Sequence, residues 1–266
     1  EKIIPGHDAV LHLACISNDP SFELNPSLGK SINYDAFEPL VKASVESKVN
    51  RFIYASSSSV YGIKKEKNVT EDMKLEPLTD YSKFKGECEK ILNSYKSDNF
   101  ITTTIRPSTV CGYAKRQRLD LVVNILTNHA FHNRKIKVLG GNQLRPNIHI
   151  DDMVESYLTV LKAPPNKING EIFNVGFKNQ SVNELAFDIK EVIGNDIEII
   201  KTQSNDNRSY HVNSKKIEEV LGFNTNKTVK NAVSDLKNAF EKGLLPNSME
   251  DEKYFNIKRM RSIKLI

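Results

Sequence analysis

The sequence predicts an α/β fold built on a doubly wound parallel sheet. Three observations carry that prediction. Short β-branched and aromatic runs, such as Arg51 to Ala55 and Ile101 to Arg106, have the unbroken apolar character of strands buried on both faces. Segments with a helical apolar period lie between them, so strands alternate with helices. The run at Arg51 also stops in four serines, Ser56 to Ser59, at the strand end where open α/β sheets bind ligands.

Composition sets the bounds. A chain of 266 residues holds one large domain, or one domain with a smaller appendage; its 39% apolar content is on the low side for a globular protein, but the periodic segments are clear and a real core is expected. The net charge, 38 minus 33 or +5, suits an anionic ligand such as a nucleotide diphosphate. The lysines are scattered, however, and no basic run interleaved with aromatics points to nucleic acid. Cys15, Cys88 and Cys111 lie far apart without metal spacing, which predicts buried thiols in a reducing compartment. His129 and His132 share a helix face with no third ligand nearby, so no metal site is expected. No apolar stretch approaches the ~18 residues of a membrane span, and no signal pattern opens the chain; the expectation is a cytoplasmic protein without membrane contact.

The chemistry concentrates between Arg51 and Gly86. Tyr81 and Lys85 stand four apart in a predicted helix, so phenol and ammonium share one face. A tyrosine of pKa ~10 is a poor base near neutrality, and an adjacent ammonium favours its phenolate. A serine hydroxyl beside it would bond the same substrate oxygen. Together they would take a proton from a sugar alcohol while a nicotinamide takes hydride from the same carbon. Here the chain resembles the extended short-chain dehydrogenase/reductase family, specifically its NAD-dependent nucleotide-sugar epimerases and dehydratases. The resemblance implies a Rossmann-like sheet, NAD as cofactor and a nucleotide-sugar substrate. It assigns Ser57, counted back from Val60-Tyr61-Gly62, with Tyr81 and Lys85 as the catalytic set, and Lys85 also as an anchor for the cofactor ribose.

Taken in order, Asp8 to Ala14 reads as a parallel strand. It resembles the family's fourth, whose following residues, here Leu13, Ala14 and Cys15, lie against the dinucleotide. The glycine-rich turn that precedes it in the family has no counterpart among the twelve glycines, and about 60 residues, two βαβ units of ~30, are expected to be missing. In a 3-2-1-4-5-6 order that loss turns a central strand into an edge. Ser31 to Lys48 reads as a helix with Phe37, Leu40, Val41, Ser44 and Val45 inward and Asn33 at the family's cofactor-side asparagine. Pro39 would kink it unless regular helix begins late. The family pairs subunits through this helix and the next, implying a homodimer through residues 33–48 and 80–97, with Thr79 or Asp80 capping the second.

Ile101 to Arg106 is a strand, and Pro107 to Gly112 resembles the loop that supports the nicotinamide, giving Pro107 and Ser108 cofactor contacts and Thr109 the place of a substrate-contacting asparagine. Ser58 joins Thr109 as a substrate contact. Leu119 to Phe131 is helical and carries Asn124, which resembles a nucleotide-sugar contact. Ile136 to Leu139 is a strand before a Gly140-Gly141-Asn142 turn. In the segment around Ile148-His149-Ile150, Arg145 resembles the family's diphosphate clamp, whose planar fork suits phosphate oxygens. His149 and Asp152 are expected to hold the helix that starts near Asp151. Glu171 to Val175 and Ile197 to Ile200 are strands. Ser181 with Glu184 forms a capping box for a helix to Ile193. Arg208 resembles the second phosphate-binding arginine, Asn213 caps the next helix, and Thr228 to Lys242 is an amphipathic helix.

The expected organisation is a partial NAD-binding domain over 1–165, with 119–136 lent to a substrate lobe over 166–245, and a charged tail over 246–266. Epimerisation is the favoured activity. A dehydratase of the same family uses Asp-Glu where Ser58 and Ser59 stand; a sugar oxidoreductase uses the same three residues, and a non-catalytic relative would need none of them.

Overall fold

The computed structural model describes residues 3–203, 209 and 211–265. Strand β1 (Ala9–His12) is followed by α1 (Asp19–Glu23), α2 (Pro26–Lys30), a π-helical turn over Ser31–Asp35, and α3 (Phe37–Glu46). Strand β2 (Arg51–Ala55) leads through a 3₁₀ turn, Ser58–Tyr61, to α4 (Asp80–Ser94), β3 (Ile101–Pro107), β4 (Thr109–Cys111) and α5 (Val122–Asn133). Next come β5 (Lys135–Leu139), β6 (Leu144–His149), α6 (Ile150–Lys162), α7 (Pro165–Ile168) and β7 (Glu171–Val175). The chain continues with β8 (Lys178–Ser181), α8 (Val182–Ile193), β9 (Glu198–Thr202), α9 (Lys215–Leu221), α10 (Val229–Glu241) and α11 (Asn256–Ser262).

The main sheet is parallel throughout, in the order β1-β2-β3-β7, with β1 at an edge among the described residues. The alternation of β2 shows how it is covered. Phe52 and Tyr54 join Phe37, Val41, Cys88 and Leu92 from α3 and α4, while Ile53 joins Ile105, Met153, Val160 and Phe173 on the opposite face. Burying each such side chain contributes about 1.5–3 kcal/mol. Arg51 extends that second face by donating to the carbonyls of Leu161 and Ala163 at 2.7 and 2.8 Å, closing the C-terminus of α6.

A second unit pairs β5 with β9 under α5, α8 and α10, around a core that includes Val123, Leu126, Ile136, Val138, Leu185, Ile189 and Val233. Between the two units, β6 pairs in parallel with β4 and antiparallel with β8. The sequence predicts a loop over 107–112 and none of these strands, because three to six residues of mixed polarity carry no readable period.

The chain crosses between the two units more than once, so no single boundary near 165/166 divides them. Strand β7 follows that point, yet pairs with β3, and Ile217 and Phe223 around α9 pack on the main sheet's core, so the chain returns to the first unit after leaving it. The long helix expected over 31–48 is interrupted. Regular helix starts at Phe37, which places Pro39 in the first turn, where its missing N–H costs no bond. Phe37, Val41 and Ser44 are buried in α3 as the expected stripe has them, whereas Val45 is exposed and Ala43 takes an inner place. The caps follow local chemistry: Thr79, Ser181 and Thr228 each form a reciprocal box with the third helical residue. At α9 the cap is Ser214, although the side-chain bond comes from Asn213, whose Oδ1 accepts from the Lys215 N–H at 2.7 Å.

Candidate active site

A cavity of about 410 Å³ opens at the C-terminal ends of the main strands. Its walls come from the Ser17–Pro20 loop after β1, the Ser56–Ser59 run after β2, Tyr81, the Pro107–Val110 segment, the Arg118–Val122 stretch before α5, and Arg145 with Pro146 on β6. The serine run is held in a tight turn. Ser57 Oγ accepts the Ser59 N–H at 3.1 Å and meets Ser59 Oγ at 2.8 Å. The turn ends at Gly62, whose φ of 67° and close approach exclude any side chain: a Cβ would lie 2.0 Å from the Glu76 carbonyl oxygen.

Tyr81 enters from the first turn of α4, and its phenol interacts with the Ser57 side chain and the Asn18 backbone. Asn18 has φ 73° and ψ 155°, a region that non-glycine residues adopt at a cost, in the loop that closes over that hydroxyl. Lys85 lies one turn further along, donating to the Ala55 carbonyl at 2.6 Å, with its ammonium 5.9 Å from the Tyr81 ring centre and 4.9 Å from that of Tyr54. The lysine therefore pins the end of β2 to the helix. The expected lowering of the phenol pKa by Lys85 is not what the structure shows. Burial, then the neighbouring Cys15 and Asp19, push the Tyr81 pKa up, against which the Ser57 and Asn18 contacts act.

Behind these residues lies a polar network that the sequence reading missed. Arg106 donates through Nε and Nη2 to both carboxylate oxygens of Glu89, at 3.0 and 2.7 Å, and both side chains are almost wholly buried. Glu89 also accepts from Ser56 Oγ, the residue before Ser57. Arg106 Nη1 reaches the Tyr61 hydroxyl at 2.6 Å and the Glu71 carbonyl at 3.1 Å. Burial opposes the charge on Arg106, but Glu89 and Tyr61 outweigh it and its pKa rises. Tyr61 is pushed up to about 12, chiefly by burial. One ion pair thus holds the serine turn at both ends. Its only sequence signal was the i, i+4, i+8 series Tyr81, Lys85, Glu89 along one helix face.

The other expected site residues divide. Ser58, Pro107, Ser108, Thr109 and Arg145 line the cavity with Ser57 and Tyr81. Arg145 donates to the Leu144 carbonyl at 2.9 Å. Leu13 and Ala14 are exposed beyond β1, and Cys15 is half-buried instead of buried. The Cys88 and Cys111 thiols are buried and pushed up to about 12 by that burial.

Two of the expected asparagines bond backbone beside the cavity. Both amide atoms of Asn33 bond the backbone of Ile16, at 2.8 and 2.9 Å, and Asn124 bonds the Gly112 N–H at 3.1 Å and the Arg118 carbonyl at 2.9 Å. Each shapes a cavity wall by fixing backbone, because a buried amide is satisfied by whichever backbone groups it meets. Arg208 lies outside the described residues. Arg118 and Asp120, which the sequence reading passed over, line the cavity as an ion pair at 2.9 Å.

His149 accepts the Asp151 N–H at 3.1 Å and faces Asp235 at 3.0 Å, and Asp152 accepts from the Asn226 and Lys227 N–H groups, so both hold the start of α6 in place. His149, Asp151 and Asp235 are the three potential ligand residues that come together among the described residues; His149 and Asp235 face each other, and the Asp151 carboxylate accepts from Lys227 at 2.6 Å. No helix among the described residues is long and apolar enough to cross a membrane.

The residues present fit the nicotinamide end of a dinucleotide. A lysine and a tyrosine stand at the strand ends, and Ser108 Oγ is buried with no hydrogen-bond partner among the described residues, beside Gly176, where an added Cβ would come within 2.2 Å of it.

Comparison with known proteins places the chain. UDP-glucose 4-epimerase of Lactobacillus helveticus is 26% identical over 81% of this chain and 71% of its own length. Human dTDP-D-glucose 4,6-dehydratase is 33% identical over 70% of this chain, which spans 53% of that enzyme's length. The solved UDP-glucose 4-epimerase of Thermotoga maritima, with UDP-glucose, superposes with a TM-score of 0.80 at 23% identity, covering 89% of this chain and 78% of that one; this likeness is one of fold. The pattern of the NAD-dependent epimerase/dehydratase family matches residues 1–176, and with the Ser57, Tyr81 and Lys85 constellation at the strand ends, the chain belongs to that family.

Proposed function

We propose that the protein epimerises a nucleotide-activated sugar with NAD, Tyr81 acting as the base. The observation that carries this reading is the convergence of Ser57 and the Tyr81 phenol in one cavity that Arg145 also lines, with Lys85 beside the tyrosine ring. NAD supplies the hydride acceptor and donor when bound, with Lys85, Tyr81 and Ser108 the residues to hold its nicotinamide-ribose end. Tyr81 Oη takes the proton from the sugar hydroxyl and returns it, while Ser57 Oγ bonds the same oxygen and orients it. Burial opposes loss of the phenol proton, and the bonds to Ser57 and the Asn18 backbone act against that opposition without cancelling it. Arg145 clamps the diphosphate, leaving the sugar at the serine turn.

Elimination of water is disfavoured because it needs a further acid and base, and the turn offers only the hydroxyls of Ser58 and Ser59. Two copies are proposed to pair through α3 and α4, which light scattering tests. The activity test is interconversion of UDP-glucose and UDP-galactose in the presence of NAD, without net accumulation of reduced cofactor. Tyr81→Phe is expected to lower turnover by about 10²–10⁴-fold with the fold intact. Turnover that survives this substitution, or net reduction of NAD with each cycle, would sink the assignment.

A further inference from the structure

The segment after Pro246, unplaced by the sequence, is built into the fold. Leu245 and Tyr254 join Leu119, Leu236 and Phe240 in a buried cluster, and the Tyr254 carbonyl accepts the Leu119 N–H at 2.8 Å. That docking delivers Asn256, the first residue of α11, to the rim of the cavity. Its backbone N–H donates to Asp120 Oδ2 at 2.8 Å. Asp120 Oδ1 accepts from Arg118 Nε at 2.9 Å, and Arg118 Nη1 donates to Ser17 Oγ at 3.0 Å. The Asn256 side-chain amide sits between Ser17 and the Arg118 guanidinium, 3.3 Å from each.

Ser17, Arg118 and Asp120 line the cavity, but on different walls. Ser17 belongs to the loop after β1 that also presents Asn18 to Tyr81; Arg118 and Asp120 precede α5, on the side of the second unit. We propose that the Arg118–Asp120 pair and Asn256 form a latch joining these walls, so that the C-terminal segment is a working part of the ligand site and Asn256 a positioning residue for it. The Arg118–Asp120 side chains are about four-fifths buried, at 20% and 18% exposure, so their bonds to Ser17 and Asn256 are shielded from water and hold direction. Releasing Asn256 frees the guanidinium to turn and loosens the loop over Tyr81.

The test uses the full chain with two substitutions. Asn256→Pro removes the N–H and the amide together; Phe255 already has φ −126° and ψ 110°, and the first helical position accepts proline, so the helix is retained. Asn256→Asp keeps the N–H and restores an acceptor to Arg118. Hydrogen exchange over residues 13–25 and 113–121 is read alongside calorimetric affinity for UDP. The affinity measurement rests on the function proposed above.

The proline variant is expected to raise exchange over 13–25 by about five- to tenfold and to weaken UDP binding by a similar factor, the loss of one or two hydrogen bonds. The aspartate variant is expected to recover both. Exchange over 13–25 that stays unchanged in the proline variant, or that fails to recover with aspartate, overturns the latch. If the wild-type chain binds no UDP, the functional reading falls, and the exchange measurement still decides the latch.

Discussion

The wall behind Ser57 and the core of the second unit solve the same problem by opposite means. The first is polar: Ser56, Tyr61, Glu89, Arg106 and Asn174 are buried and bonded to one another. The second is apolar almost throughout, with Leu185, Ile189, Ile136 and Val233 packed between three helices and two strands. Apolar contact is non-directional, and related packings of one core differ little in energy. Hydrogen bonds to a buried ion pair fix positions along particular directions, and leaving one partner unpaired is costly. The difference teaches where the protein needs position and where it needs only cohesion: the ion pair sits beside the residues proposed for chemistry, and the apolar core beneath the lobe proposed for substrate.

The comparison predicts different responses to damage. Arg106→Met alone leaves the Glu89 carboxylate buried without its partner and is expected to cost about 3–5 kcal/mol in urea unfolding. Adding Glu89→Leu should recover most of that stability while turnover stays low, because Ser56 and Tyr61 lose the groups that hold the serine turn. A double variant with wild-type turnover would show that the network serves cohesion alone.

In the lobe, Leu185→Ala opens a cavity worth about 2–5 kcal/mol, yet the folded fraction should keep wild-type pH dependence and turnover. A changed pH profile there would break the contrast. The smallest effect concerns His12, which packs against Phe37, Phe52 and Tyr54 and is held at a pKa of about 4, first by burial and then by Lys85. Its ordinary value of 6.5 applies in the unfolded chain, so protons favour unfolding between those limits: stability present above pH 6.5 declines as pH falls toward 4. His12→Phe should flatten that decline by on the order of 1 kcal/mol between neutral pH and pH ~5, allowing for partial exposure.

Much of this was legible without a structure. The period of each segment determined the strands β2, β3, β5 and β7 and the helices α4, α8 and α10; the Ser181–Glu184 capping box marked the start of α8, and the choice of Thr79 or Asp80 as cap marked that of α4 to within a residue. The Ser57, Tyr81 and Lys85 spacing pointed to the cavity in which the serine and tyrosine stand. These features rest on interactions within about one turn or one pleat, which a linear chain already specifies.

The tertiary structure alone decided the rest. Whether Asn33 and Asn124 face a ligand or bind backbone depends on which groups stand within reach, and Asn33 finds Ile16 at a separation of 17 residues. Arg106 finds Glu89 at the same separation, and the Asn256 N–H finds Asp120 across 136. The direction of the Tyr81 pKa shift is of the same kind, since burial is a sum over everything packed around the phenol. A buried polar group must be paired, but its sequence does not say with whom; packing decides, by bringing one partner within about 3 Å and excluding water from the rest.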